Sequence, residues 1–187
     1  MNTSKKKKNA ATVGTVLHKI KDPTALKPWA DYLSSIDPWK TLDLTSDQLL
    51  TRWTASDSRW QFFSAADPKN AKTPGFEHEH GLIVFTTESA GPIVAKFLKD
   101  SMPTTLEDGG YVQAIGTKMR HKGIGKYLVA AAERVIQEQK PRVYLFVSDS
   151  NHAAQRFYKG LGYEEIARAN DAFKSGNIEI LLTKKLE

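Results

Sequence analysis

The chain contains no cysteine, which excludes disulfide bonds, thiolate catalysis and cysteine-ligated zinc sites together. No apolar run approaches the roughly 18 residues that a membrane-spanning helix requires. The N-terminal residues also lack the apolar stretch of a secretory signal peptide. These absences predict a cytoplasmic protein with no membrane partner.

Most of the chain has nearly balanced charge, and the basic excess is concentrated near its N-terminus. The formal net charge is +6, but the run Lys5 to Lys8 supplies four of these charges. Nucleic-acid-binding domains carry their basic excess on the folded face that meets the phosphates. We therefore interpret residues 1–12 as a disordered, solvated basic tail and expect no nucleic-acid partner. A polyanion-binding role of the lysine run is the alternative.

The remaining residues, 13–187, have the composition of one globular domain. The chain is long enough for a substantial core, and its 40% hydrophobic and 26% charged residues are ordinary for a folded protein. Apolar segments of strand type alternate with helical periodicity, which is typical of an α/β domain. Strands are predicted at residues 13–20, 59–65, 81–87, 111–117, 142–147, 163–167 and 178–183.

Helices are predicted from apolar periodicity and from signals at their ends. Asp22-Pro23 opens a first helix, which Asp37-Pro38 ends. Thr45 and Gln48 form a capping box at the start of a second helix. The helix that begins near Ile124 has the clearest apolar stripe in the sequence.

Three further segments carry expectations about local structure. A short helix capped by the polar residues before His152 ends at Gly162, in the manner of a C′ glycine. Residues 91–100 fit either a helix or a strand. The tripeptide Asp108-Gly109-Gly110 predicts a turn that leads into the strand at 111–117.

A basic, glycine-containing segment stands between a predicted strand and the clearest helix. It reads Arg120-His121-Lys122-Gly123-Ile124-Gly125. A helix N-terminus presents unpaired backbone N–H donors and the positive end of the helix dipole. The segment therefore predicts a site for a ligand that carries phosphate.

Spacing excludes two common phosphate-binding motifs. A Walker A loop would need glycine at Arg120 and serine or threonine at Tyr127. A dinucleotide fingerprint would need glycine or alanine at Leu128, with its first glycines directly after a strand. Neither pattern fits this loop.

The pattern that does fit is Arg-x-x-Gly-x-Gly, which resembles the loop of the GCN5-related N-acetyltransferase (GNAT) superfamily. A second pattern of that family, Asn-x-x-Ala-x-x-x-Tyr-x-x-x-Gly-aromatic, follows a predicted strand. Its positions are held by Asn151, Ala154, Tyr158, Gly162 and Tyr163. The two patterns occur in order, and the resemblance covers roughly residues 111–167.

The resemblance implies a single α/β domain with a mixed, splayed sheet of six or seven strands flanked by about four helices. It implies acetyl-CoA as co-substrate, with the pyrophosphate on the loop amides and pantetheine between the strands at 111–117 and 142–147. A backbone N–H near Ile115 would serve as oxyanion donor, and Gly116 would favour a bulge or merely end the strand. The implied cofactor-binding residues are Gln113, Ala114, Ile115, Gly116, Arg120, His121, Lys122, Gly123, Ile124, Gly125, Lys126, Asn151 and Tyr158.

Tyr158 holds the family's position for the acid that protonates the departing thiolate, and it is the predicted catalytic residue. The alternative is a tyrosine that packs its helix and contacts the cofactor. Asn151 would bond the pantetheine arm, cap its helix, or do both.

The general base is not assigned by the resemblance. Family members that acetylate protein N-termini often carry a glutamate twelve residues before the acid tyrosine, and here that position is Phe146. This departure leaves either a distant carboxylate acting through water or no dedicated base, and the candidate carboxylates near strand ends are Glu77, Glu79, Glu107 and Asp108. No metal site is predicted, because His78 and His80 alternate in sequence without further ligands in evidence.

The N-terminal helices form one wall of the acceptor cleft in this family. Asp37 and Trp39 are the predicted acceptor-binding pair, through ion pairing and cation–π contact with an amine. The alternative is a helix end and a core tryptophan. The predicted activity is acetyl transfer from acetyl-CoA to a primary amine of a small molecule or peptide, by direct attack. A non-catalytic acyl-CoA-binding module is the alternative function, and a homodimer is compatible with either.

Overall fold

The computed structural model describes residues 14–55, 59–70, 72, 75–98, 103 and 106–187. The predicted tail at residues 1–12, with Lys5 to Lys8, and the predicted strand start at Val13 lie outside this range. Seven strands form one mixed sheet, which confirms the predicted fold class. They are β1 (Val16–Ile20), β2 (Gln61–Ala66), β3 (Glu79–Thr86), β4 (Gly109–Thr117), β5 (Arg142–Ser148), β6 (Glu164–Asn170) and β7 (Ile178–Lys185).

Five α-helices accompany the sheet in the described residues, where about four were predicted. They are α1 (Lys27–Ser34), α2 (Ser46–Thr54), α3 (Gly91–Leu98), α4 (Ile124–Gln137) and α5 (His152–Gly160). The additional helix is α3, which resolves the segment that fitted helix or strand. Val94 and Leu98 bury one stripe of α3 against Tyr144 and Leu181 of the sheet. Tertiary contact on that stripe favours the helix.

Two of the helix ends follow the predicted chemistry, and the first helix differs. Asp22 accepts a hydrogen bond from the Thr24 N–H and caps a short 3₁₀ helix, Pro23–Leu26, and α1 follows it and ends at Ser34, before Asp37-Pro38. The reciprocal bonds of the Thr45–Gln48 capping box are both present. Gly162 follows α5 with a left-handed φ of +87°, as a C′ glycine does. Among the described residues, no helix is long and apolar enough to cross a membrane.

The turn predicted at Asp108-Gly109-Gly110 is wrong. Gly109 and Gly110 are the first residues of β4 and pair with Arg142 and Val143 of β5. A Cβ on Gly109 would stand 2.7 Å from the Arg142 carbonyl oxygen. These glycines are therefore required by close packing inside the sheet rather than by a chain reversal.

The sheet order is β1-β2-β3-β4-β5-β7-β6, and among the strands of the described residues only β4 and β5 pair in parallel. That pair is short, with only three residue pairs, and its last is Tyr111 with Tyr144. Beyond it, β4 continues to Thr117 and β5 to Ser148 without pairing to each other. The sheet is thus divided by a gap that opens towards the carboxyl ends of these two strands.

Helices cover both faces of the sheet and leave the gap open. On one face α4 packs against both halves, with Leu128 and Ile136 buried against residues such as Phe85 and Leu145. On the other face α1 and α2 cover the β1–β4 half, and α3 contacts the β5–β7–β6 half. A cleft therefore separates the two helical covers on that second face.

Candidate active site

The cleft between the two halves of the sheet has a volume of about 830 Å³. It begins where β4 and β5 stop pairing, and it is lined by residues of both strands, of the segment after α1, and of α2, α3 and α5. We refer to it as the β4–β5 cleft. Nine of the predicted site residues line it: Asp37, Trp39, Gln113, Ala114, Ile115, Gly116, Arg120, Asn151 and Tyr158.

The β4 wall of the cleft contains a bulge, at a different residue from the one considered in the sequence. Val84 pairs with Ala114 and Phe85 with Val112, so the extra residue is Gln113. Its side-chain oxygen accepts a hydrogen bond of 2.9 Å from Trp53 Nε1. The β5-facing edge of β4 has no strand partner beyond Tyr111, so its backbone groups face the cleft.

Gly116 does not form the bulge and pairs regularly with Leu82. Its small size has another cause, because a Cβ at this position would lie 2.3 Å from Leu33 Cδ2 of α1. The glycine lets α1 approach the strand closely. The expectation of a bulge at Gly116 is therefore wrong.

The basic loop begins at the cleft, which Arg120 lines, and leads into α4, whereas residues 121–126 are not among the lining residues. Gly123 is the N-cap, with φ of +77°, and no side chain caps the helix. The Gly123 carbonyl accepts from the Tyr127 N–H, so the N–H groups of residues 124–126 precede the first intrahelical donor. A Cβ on Gly125 would lie 3.3 Å from the Phe157 ring, which keeps α4 close to α5. His121 and Lys122 are exposed beside this helix start.

Tyr158 lies on α5 and lines the cleft near its floor. Its ring contacts Phe157 and Tyr163 edge to face, with centroids 5.1 and 5.3 Å apart. Burial raises the pKa of the Tyr158 phenol above its usual value of 10. The side chain is therefore protonated at neutral pH and can donate a proton into the cleft.

Asn151 precedes α5 and caps it through its side chain. Its Oδ1 accepts a hydrogen bond of 3.1 Å from the Ala154 N–H. This confirms the capping role, and it leaves the two Nδ2 hydrogens as donors towards the cleft that Asn151 lines.

The four carboxylates considered as bases are absent from the cleft wall. Glu79 is buried, accepts from Trp29 Nε1 and Ser64 Oγ at 2.5 and 2.6 Å, and so anchors α1 to the sheet. Glu107 binds Arg142 through two hydrogen bonds, Asp108 binds Lys140, and Glu77 is exposed. The described residues contain no cluster of three potential metal ligands.

Glu179 is a buried cleft carboxylate that the sequence patterns did not predict. It lies on β7 opposite Ser148, is only 2% exposed, and its Oε1 has no hydrogen-bond partner. Burial raises the pKa of Glu179 to about 7, and the negative charge of Asp149 acts in the same direction. The available signal was a single acidic residue within the apolar run Ile178-Glu179-Ile180-Leu181-Leu182.

Rings surround the part of the cleft near Glu179. Phe97 packs against Phe146 and Phe173, with ring centroids 5.5 and 4.6 Å apart. Tyr111 lies 6.4 Å from Phe146 and 6.2 Å from Trp60. We call these five residues the aromatic wall.

Asp37 and Trp39 lie on the opposite side, in the segment after α1. Asp37 accepts a hydrogen bond of 2.5 Å from Thr41 Oγ1, and Trp39 is half-buried against the α1–α2 cluster. Both predicted acceptor-binding residues therefore line the cleft while also contributing to local structure.

Comparisons with solved structures place the fold among acetyltransferases. NAA60 from Arabidopsis thaliana, solved in complex with acetyl-CoA, matches with a TM-score of 0.66, 17% identity and coverage of 92% of this chain and 99% of that one. Ard1 from Thermoplasma volcanium matches with a TM-score of 0.62, 16% identity and coverage of 92% and 98%. An N-acetyltransferase from Staphylococcus aureus matches with a TM-score of 0.60, 13% identity and coverage of 93% and 99%.

At these identities the structural matches show the fold alone. Comparison with curated protein sequences gives no significant match. The model of the acetyltransferase (GNAT) family matches residues 58–163, which is more than half of the chain and includes both motifs. The chain therefore belongs to the GNAT acetyltransferase family.

Proposed function

We propose that this protein transfers an acetyl group from acetyl-CoA to a primary amine by direct attack in a ternary complex. The observation that carries the proposal is the separation of β4 from β5 beyond Tyr111 and Tyr144. It opens a cleft lined by a buried tyrosine and by Arg120, the first residue of the loop that leads to an uncapped helix start. The similarity to NAA60, which was solved with acetyl-CoA, supports the donor.

The donor would lie along the β4 side of the cleft. The N–H groups at the start of α4 and the basic side chains beside them suit the pyrophosphate. The unpaired edge of β4 and the Asn151 amide suit the two amides of pantetheine. The proposed donor-binding residues are Gln113, Ala114, Ile115, Gly116, Arg120, His121, Lys122, Gly123, Ile124, Gly125, Lys126, Asn151 and Tyr158.

The chemistry requires attack by a neutral amine nitrogen on the thioester carbonyl carbon. A backbone N–H near Ile115 would stabilise the oxyanion of the tetrahedral intermediate. Collapse of the intermediate breaks the C–S bond, and the Tyr158 hydroxyl donates its proton to the sulfur. A proton lost from the nitrogen returns Tyr158 to its starting state.

The acceptor would enter between the N-terminal helices and the aromatic wall. Asp37 and Trp39 can bind a cationic amine through charge and a ring face. A panel of amines and peptides, assayed for release of free thiol, would show whether the acceptor is a small molecule or a peptide. Release with at least one amine is expected. Thermal stabilisation by acetyl-CoA without thiol release from any acceptor would identify a non-catalytic acyl-CoA-binding module.

The aromatic wall predicts a preference for amines on an apolar body. Burying such a body contributes on the order of 1.5–3 kcal/mol, so kcat/KM for 2-phenylethylamine should exceed that for spermidine by about tenfold or more. Phe146→Ala should reduce this ratio, because it removes the ring between Phe97 and Tyr111. Equal kcat/KM values for the two amines would contradict a selective role of the wall.

Gly123→Ala is expected to weaken acetyl-CoA binding about tenfold. The residue has φ of +77° with nothing within 4 Å of an added Cβ, so the cost of about 1–2 kcal/mol is purely conformational. Calorimetric titration with acetyl-CoA measures it. Gly176→Ala is the matched control, since Gly176 has φ of +82° and equally open surroundings. Gly176→Ala should lose about as much unfolding free energy as Gly123→Ala and keep the wild-type affinity for acetyl-CoA. An equal loss of affinity in both variants would argue against a binding site at the basic loop.

A further inference from the structure

Acetyl transfer to an amine at neutral pH requires a group that removes a proton from nitrogen. An alkylammonium with pKa near 10 is neutral in only about one molecule in a thousand at pH 7. Among the described residues, three carboxylates line the β4–β5 cleft: Asp37, Glu88 and Glu179. One of them is suited by its position and by a buried oxygen atom that has no hydrogen-bond partner.

Asp37 and Glu88 already have partners. Asp37 accepts from Thr41, and Glu88 lies 3.3 Å from Arg59 in an exposed ion pair. Glu179 is buried in the cleft wall, and its Oε1 has no hydrogen-bond partner. A buried oxygen without a partner costs free energy unless a ligand completes its bonding.

The register of β5 and β7 places Glu179 beside the aromatic wall. Phe146 is opposite Leu181 and Ser148 is opposite Glu179. Residues two apart on a strand, and their cross-strand partners, lie on the same face of a sheet. Glu179 therefore shares a face with Phe146, the position at which the family resemblance led us to look for a base. Relative to Phe146, the carboxylate lies on the neighbouring strand β7, opposite Ser148, two residues further along β5.

Burial is the main reason that the pKa of the Tyr111 phenol is raised, and Glu179 and Tyr158 act on it in the same direction. Tyr111 is also the last β4 residue that pairs with β5. The groups that act on the Glu179 carboxylate are Asp149, before α5, and the Asn177 side chain, before β7. The Arg52 cation, which also lines the cleft, acts on the Tyr111 phenol in the opposite direction.

We propose that Glu179 is the general base that takes the proton from the acceptor's ammonium group. The inference rests on the amine acetyl transfer proposed above. The ammonium N–H bond breaks and its proton passes to the free Glu179 oxygen. The nitrogen lone pair then forms the C–N bond. A second proton leaves nitrogen as the C–S bond breaks, while Tyr158 supplies one to sulfur, so the full reaction releases one proton to solvent.

The surroundings of Glu179 match this task. A base works best when its pKa lies near the operating pH, and Glu179 meets this condition because it is buried beside Asp149. The ring faces of the aromatic wall attract the ammonium before it loses its proton. The acceptor is therefore inferred to be an amine whose nitrogen reaches past these rings.

Glu179→Gln tests the role through the pH profile of kcat/KM. Near pH 7 the variant should be about 10²- to 10³-fold slower than the wild type. The deficit should shrink as the pH approaches the pKa of the amine, because the acceptor then loses its proton unaided. Acetyl-CoA affinity should be unchanged. A variant with the wild-type rate and pH profile would overturn the proposal.

Two further variants keep the test decisive. Glu164→Gln changes the same chemical group at an exposed position of β6 outside the cleft, and should leave kcat/KM and its profile unchanged. Glu179→Asp keeps a carboxylate, so its kcat/KM should be lower overall but should still fall at acidic pH as that carboxylate is protonated. If Glu179→Gln does not fold, absence of this acidic fall in Glu179→Asp would overturn the proposal. If the wild type releases no thiol with any amine, the proposed function fails. If the wild type releases thiol and Glu179→Gln keeps the wild-type rate and profile, the function stands and only the assignment of Glu179 as base is wrong.

A second measurement does not depend on activity. The folded-state pKa of Glu179, about 7, exceeds the ordinary value of 4.5, so the folded protein holds this proton more tightly than the unfolded chain. The associated stability is fully present below the ordinary pKa and is lost as pH rises through about 7. Between about pH 5 and pH 8 the wild type should lose more unfolding free energy than Glu179→Gln. Equal losses would contradict a base that titrates near neutral pH.

Discussion

Replacing Tyr158 with phenylalanine is expected to lower kcat by about 10²- to 10⁴-fold, far more than it lowers acetyl-CoA affinity. The substitution removes one hydroxyl from a buried ring and leaves its contacts with Phe157 and Tyr163 in place. Without that hydroxyl the sulfur must depart as a thiolate into a cleft of low polarity. Burial disfavours that anion, just as it raises the pKa of Tyr158 itself.

Steady-state thiol release measures kcat, and calorimetric titration measures acetyl-CoA affinity separately. Tyr163→Phe is the matched control, because Tyr163 is equally buried and contacts the Tyr158 ring but is absent from the cleft lining. It should retain wild-type kcat. Unchanged turnover in Tyr158→Phe would show that the tyrosine packs α5 without donating a proton, and would leave the family membership intact.

Gly110→Ala is expected to cost about 3 kcal/mol of unfolding free energy, with a corresponding loss of activity. An added Cβ would stand 2.7 Å from the Thr86 carbonyl oxygen and 2.7 Å from Ile136 Cγ2. The carbonyl belongs to β3 and cannot move aside without disturbing the sheet. Gly110 is also one of only three β4 residues that pair with β5, so its displacement changes the narrow end of the cleft.

Urea unfolding of wild type and variant measures this loss. Gly160→Ala is the control, since an added Cβ on this helical glycine meets nothing within 4 Å. Alanine there should be neutral or stabilising by up to about 1 kcal/mol. Equal stability of Gly110→Ala and the wild type would mean that the strand and α4 can separate at no cost, against the packing described above.

Local sequence signals predicted most of the elements because the chemistry behind them is local. The Thr45–Gln48 capping box and the Gly162 helix end involve residues within a few positions of each other. The Arg120 to Gly125 loop is likewise a strand-to-helix connection whose N–H donors follow from the helix geometry. Such features are readable in one sequence.

The wrong predictions concern residues whose local structure depends on contacts with residues distant in sequence. Gly109 and Gly110 suggested a turn, yet the rings and carbonyls of Tyr144, Arg142 and Thr86 make glycine necessary there. The bulge falls at Gln113, while Gly116 is small because Leu33 of α1 approaches it. Glycine is required for several different reasons, and only the neighbours in space show which reason applies.

The sequence by itself determined the family, the α/β fold, the position of the basic loop from Arg120 to Gly125 and the position of Tyr158 after it. These depend on spacing along the chain. Only the tertiary structure showed that Glu179 faces the cleft. Glu179 is about sixty residues from the loop in sequence, and it reaches the gap because β7 pairs with β5 in a register that sets it opposite Ser148. Its burial there, and hence its raised pKa, is a property of the assembled sheet.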